Sequence, residues 1–103
     1  MSVLMEFAMF PTDKGASVSE YVSRVVAMIR DSGASYQLTP MGTIVETETM
    51  EEATELLRRA YAALEPDAER VYAAAKFDIR KGRTAGLDGK TASVRERIGE
   101  IRT

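Results

Sequence analysis

Apolar residues recur with two different periods along this chain, and the switches between them divide it into elements. A period of two marks strands, because successive side chains point to opposite faces. It runs through Val3 to Phe10, Ala34 to Thr39, Thr43 to Glu48 and Arg70 to Ile79. A period near 3.6 marks amphipathic helices. It appears first at Val18, Tyr21, Val22, Val25, Met28 and Ile29, and again at Ala53, Leu56, Leu57, Ala60, Tyr61 and Leu64. Pro11 to Ala16 reads as a turn-rich loop. Ser17 and Glu20 have the spacing of a capping box at the start of the first helix, and Gly33 reads as its stop. Pro40 to Gly42 reads as a turn between two strands, and Glu65 to Asp67 ends the second helix. Lys81 to Gly89 reads as loop, followed by a third helix of about ten residues with Val94, Ile98 and Ile101 on one side.

The resulting order, β-α-β-β-α-β plus a terminal helix, predicts an α+β, ferredoxin-like fold. Right-handed crossovers put both long helices on one face of a four-stranded antiparallel sheet, with the C-terminal helix as an extra. The strand order across such a sheet is last, first, third, second. At 103 residues the chain makes one domain, spanning 1–103.

Alternation also sorts the strand residues by face. Val3, Met5, Phe7, Met9, Val45, Val71, Ala73, Ala75, Phe77 and Ile79 form the better core. The other face collects Leu4, Glu6, Ala8, Phe10, Ile44, Glu46, Glu48, Tyr72, Ala74, Lys76, Asp78 and Arg80. It is too apolar to be left to water and too charged to be an ordinary core. A second subunit, a ligand or both are expected to cover it. The expected sheet order sets Glu6 between Glu46 and Lys76 where the registers match. Two neighbouring carboxylates repel unless a cation or shared proton relieves them, and Lys76 relieves one. The cluster reads either as structural charge at a subunit interface or as a site whose spare acid meets a cationic, amine-bearing ligand. Phe10, Tyr72 and Met41 would then line it, or serve as plain packing.

Composition narrows the chemistry. The chain has no Cys and no His, which removes thiolate metal sites, disulfides, the usual general base and the Ser-His-Asp triad. No metal site, catalytic residue or cofactor is expected. A net charge of −2 argues against nucleic acid, whose phosphates need a basic surface. No apolar run is long enough for a membrane span, and no signal peptide is read, so a cytosolic protein is the expectation. Gly86 to Thr91 falls short of a phosphate-binding loop, because Thr84 stands where that motif needs Gly. Arg80, Lys81, Arg83 and Lys90 around it read as a solvated basic surface.

Pro40-Met41-Gly42-Thr43, with Glu46 three residues on, then Arg70 to Tyr72 and Lys76 to Arg80, resembles the small thiamine-binding protein family. These are single-domain relatives of the YkoF-like hydroxymethylpyrimidine/thiamine-binding proteins. Glu6, Phe10-Pro11, Ser17 to Val22 and Gly33 extend the resemblance along nearly the whole chain. The family has two acids before the arginine; here the pair is Asp78 and Ile79. The resemblance implies a ferredoxin-like subunit, dimers or tetramers joined through their sheets, and binding of thiamine or its pyrimidine part without catalysis. Thiamine carries a cationic thiazolium and an aminopyrimidine, and the charged face suits both. On this reading Glu6 and Glu46 accept from the amine or the charge. Thr43 and the Gly42 backbone fix orientation, Phe10 and Tyr72 pack on the rings with Met41 beside them, and Lys76 keeps one carboxylate ionised. Two other readings stay open: a structural or regulatory oligomer without ligand, and a small enzyme using the paired carboxylates. An RNA-recognition domain shares the topology but needs a basic, aromatic sheet.

Overall fold

A computed structural model of the chain describes residues 1–82 and 86–103. The elements are β1 (Ser2–Pro11), α1 (Ser19–Asp31), β2 (Ser35–Thr39), β3 (Gly42–Thr47), α2 (Met50–Leu64), β4 (Val71–Arg80) and α3 (Gly86–Ile98). The four strands form one antiparallel sheet in the order β2-β3-β1-β4. This is the α+β, ferredoxin-like arrangement that the two periodicities imply.

The core lies between the sheet and the pair α1 and α2. Val3, Met5, Phe7, Met9 and Val45 from the sheet meet Val25 and Ile29 of α1 and Ala53, Leu56, Ala60 and Leu64 of α2. Burying each of the Val, Leu, Ile, Met and Phe side chains among them stabilises the fold by about 1.5–3 kcal/mol. Thr49 caps α2, its side chain accepting from the Glu52 amide at 3.1 Å. Arg24 of α1 pairs with Asp67 beyond α2, and this side-chain contact raises the Arg24 pKa.

Four local expectations are corrected. The capping box of Ser17 and Glu20 does not form: Val18 occupies the cap position and no side chain caps α1. Ser17 stands one residue too early for its oxygen to take that place. Tyr61, read as inward, is 44% exposed, because the contact with the sheet runs along Leu56, Ala60 and Leu64. The third correction concerns β4. Ala73, Ala75, Phe77 and Ile79 lie on the core side by register with β1 but are exposed, since α1 and α2 lie over β1, β2 and β3.

The last correction concerns α3, which begins at Gly86, inside the stretch read as loop, and ends before Ile101. It packs on the sheet face opposite α1 and α2, against β1 and β3. That face is therefore only partly free of helix. Arg83, part of the expected basic cluster, and Thr84 lie outside the described residues.

Candidate functional site

Strand pairing fixes the charged face row by row. At one end, Asp78, Leu4, Glu46 and Ser35 lie across the sheet in register. The next row on this face is Lys76, Glu6, Ile44 and Gln37, and the third brings together Ala74 and Ala8. Phe10 and Tyr72 face each other in the last row. Glu6 thus lies opposite Ile44 and not opposite Glu46, which corrects the expected carboxylate pair. Glu46 is one row further along, paired with Leu4, so the register of β3 against β1 lies two residues away from the assumed one.

The two acids consequently have different surroundings. Glu6 forms an ion pair with Lys76 at 2.9 Å, both groups reaching solvent. Glu46 receives the Ser2 hydroxyl and, on the same Oε2, the Gly86 amide at 2.6 Å; the Leu87 amide reaches Oε1 at 3.4 Å. Its carboxylate therefore sits on the N-terminus of α3, where unpaired N–H groups and the helix dipole favour an anion. Lys90 of α3 pairs with Asp78 of β4 in the same row. These contacts pin α3 over one end of the face and bury Leu4 beneath it.

The remaining part of the face is open. Phe10 and Tyr72 make a tilted aromatic pair with centroids 5.8 Å apart, and Tyr72 is 57% exposed. Glu6, Ala8 and Ile44 are half-buried between this pair and α3. Met41 stands almost wholly exposed at the tip of the β2–β3 hairpin. The Thr39 hydroxyl shapes that hairpin, donating to the Gly42 carbonyl at 2.9 Å and accepting from the Met41 and Gly42 amides.

Two expected site residues serve the fold instead. Thr43 is buried on the core side opposite Phe7, so its hydroxyl cannot orient a ligand on the charged face; the alternation that puts Ile44 on that face turns Thr43 away. A Cβ at Gly42 would lie 2.9 Å from the Phe7 carbonyl oxygen. Gly42 is small there to let β1 approach, a closer constraint than room for a ligand.

Glu6 pairs with Lys76 and Phe10 with Tyr72, and the two pairs lie on the same face two rows apart, as the alternation implies. The sequence reading missed the anchoring of α3 by Ser2, Glu46, Asp78 and Lys90. Its only local trace was an acid in the middle of an otherwise apolar strand. A separate concavity, about 1180 Å³, opens at the end of the sheet between β3 and the start of α2, with Glu48, Glu51, Glu52, Glu55 and Arg59 at its walls. It is wide and carries several charges of one sign. Among the described residues no group of His, Cys, Asp and Glu has the arrangement of a metal site. No helix among them is long and apolar enough to cross a membrane.

A family model described as thiamine-binding protein matches residues 5–95. A UPF0045 protein of Mycobacterium bovis is 37% identical over 94 residues, covering 91% of this chain and 92% of that one. The solved structure of a hypothetical protein from Methanocaldococcus jannaschii superposes with a TM-score of 0.83 at 27% identity, covering 92% of this chain and 97% of the other. A Thermotoga maritima structure, provisionally named for thiamine biosynthesis or salvage, has a TM-score of 0.77 at 22% identity over 90% of this chain and 99% of its own. That likeness carries the fold.

Proposed function

This chain belongs to the thiamine-binding protein family, and from that premise we propose that it binds thiamine or its pyrimidine part without transforming it. The site is the open part of the charged face, between α3 and the Phe10–Tyr72 pair. The observation that carries the reading is that a solvent-reachable acid, Glu6, and that aromatic pair lie on one face, two rows or about 13 Å apart along the strands, a spacing that a two-ring ligand can bridge. A cationic heteroaromatic ligand is recognised by such a combination, the carboxylate accepting from the amino group or facing the thiazolium while rings stack beside it.

The roles follow from position. Glu6 is the acceptor, and Lys76 holds it in place from β4. Phe10 and Tyr72 cover ring faces, and Met41 closes the hairpin side. Glu46 enters as the anchor of α3, the wall of the crevice, so its effect on binding passes through the helix. The exposure of Tyr72 and Lys76 fits a crevice completed by a second copy over the open part of the face. A carrier, buffer or sensor needs no more than this. Among the described residues of this crevice the nucleophile-type group beside a carboxylate is Lys76, an exposed ion-pair partner of Glu6 and not a desolvated amine, which favours binding over catalysis.

Calorimetric titration with thiamine, its phosphates and its pyrimidine half tests the proposal. Saturable binding of thiamine or the pyrimidine half is the expected result. Absence of binding by every one of them at millimolar ligand would refute it.

A further inference from the structure

Helices α1 and α2 are held by apolar stripes, whereas α3 is held chiefly by polar contacts. Gly86 is its one buried residue, while α1 buries Val25 and Ile29 and α2 buries Ala53, Leu56, Ala60 and Leu64. Leu87 and Thr91 are half-buried, and every residue from 92 to 98 is exposed, Val94 and Ile98 included. What fastens α3 to the sheet is a set of donors on two carboxylates. The Gly86 and Leu87 amides donate to Glu46, and the Lys90 ammonium pairs with Asp78. A helix of 13 residues without an apolar stripe is marginal by itself, so the docking of α3 stands or falls with these contacts.

Those contacts repeat the chemistry of the ligand. A positively polarised helix end with N–H donors and an ammonium sit on carboxylates of the same face that offers Glu6 to a cationic aminopyrimidine. Asp78 and Glu46 flank Leu4 in one row, and Glu6 stands in the next, its Cα about 8 Å from that of Glu46. We propose that α3 is an autoinhibitory strap. Its first amides and Lys90 occupy acids that a cationic, amine-bearing ligand reaches once the helix lifts, so docking of α3 and binding of the ligand oppose each other. The inference rests on ligand binding at Glu6 as proposed above and adds its regulation. With α3 docked, the open part of the face offers Glu6, already paired with Lys76. With α3 lifted, Glu46 and Asp78 join it, and Leu4 becomes part of the floor. The ligand therefore has the higher affinity for the lifted state, and by reciprocity its binding depopulates the docked one. Lys90 and Asp78 both reach solvent, where salt screens such a pair, so the strap lifts more readily as ionic strength rises.

Amide hydrogen exchange and calorimetry on the full chain test it. Without ligand, raising the salt from about 20 mM to about 500 mM, or making Lys90→Gln, is expected to speed exchange across 86–98 several-fold. The β1 and β3 amides keep their protection, and the melting temperature is nearly unchanged. Saturating thiamine is expected to speed exchange in 86–98 of the wild-type chain, the opposite of what a helix gripping its ligand would show. Lys90→Gln is expected to bind thiamine several-fold more tightly than wild type. Lys81→Gln removes a charge of the same sign from the turn after β4 and is expected to leave both exchange and affinity as they were. Slower or unaltered exchange of 86–98 in a protein that binds thiamine overturns the strap and leaves the binding site standing. So does a gain in affinity that Lys81→Gln reproduces, which would assign it to net charge. A wild-type chain that binds nothing removes the reading on which the strap rests, and the strap with it.

Discussion

Glu46 and Asp13 show how a single carboxylate acquires a structural task that no local pattern announces. Glu46 is held by donors from residue 2 and from residues 86 and 87, distances in sequence across which no capping rule operates. Asp13 accepts the Glu69 amide at 3.0 Å, tying the loop after β1 to the start of β4. That hydrogen bond, the largest influence on it, holds the Asp13 carboxyl below its ordinary pKa. A depressed folded pKa contributes stability that is present above the unfolded value, about 4, and is lost as pH falls through the folded value. Asp13→Asn keeps an acceptor but removes the charge. Its melting temperature is expected to lie slightly below wild type at pH 7, and the gap to close as pH falls below the ordinary carboxylate range. A gap that is constant with pH would assign the contact no ionic component. At the same scale, the alternation of side chains placed Glu6, Phe10, Tyr72 and Lys76 on one surface correctly. It could also have removed Thr43 from that surface, since residues one apart on a strand cannot share a face.

Among the elements, those with a strong period were legible and those depending on distant partners were not. The apolar positions of α2 and its stop at Pro66 were read from the chain, and Thr49 supplies the cap. The start of α1 was not, because Ser17 satisfies the spacing of a capping box while the backbone begins its helix two residues later. The start of α3 depends on Glu46, forty residues upstream of Gly86. That dependence yields an element-scale expectation. Glu46→Gln leaves an acceptor without charge at the α3 N-terminus, a loss of about 1 kcal/mol. Amide exchange in 86–98 is expected to rise several-fold while the β1 and β3 amides keep their protection. Unchanged exchange in α3 would show that Lys90 and Asp78 hold the helix without the carboxylate. The row β4 is the instructive failure: an alternating pattern reads as half-buried, yet burial also needs a layer to lie over it, and α1 and α2 lie over its neighbours.

For the whole molecule, the order of elements sufficed for the topology, because right-handed crossovers leave few alternatives once two β-α-β halves are recognised. The expected sheet order, last-first-third-second, is the one observed. Register was the limit: β1 and β3 are joined by no hairpin whose turn would fix their pairing, and Glu46 stands one row away from Glu6, which splits the expected carboxylate pair into a helix anchor and a solvent-facing acid. The molecule therefore divides its charged face into a covered end, built by Glu46, Asp78 and α3, and an open end, built by Glu6, Lys76, Phe10 and Tyr72. Ligand binding by the open end is the central claim. Its most direct test is thiamine affinity measured by calorimetry for the wild-type protein and for Glu6→Gln, a change at a half-exposed position that leaves the core intact. The expected result is a loss of at least about tenfold in affinity, or about 1.4 kcal/mol, with the melting temperature nearly unchanged. Equal affinity in the two proteins would contradict the account.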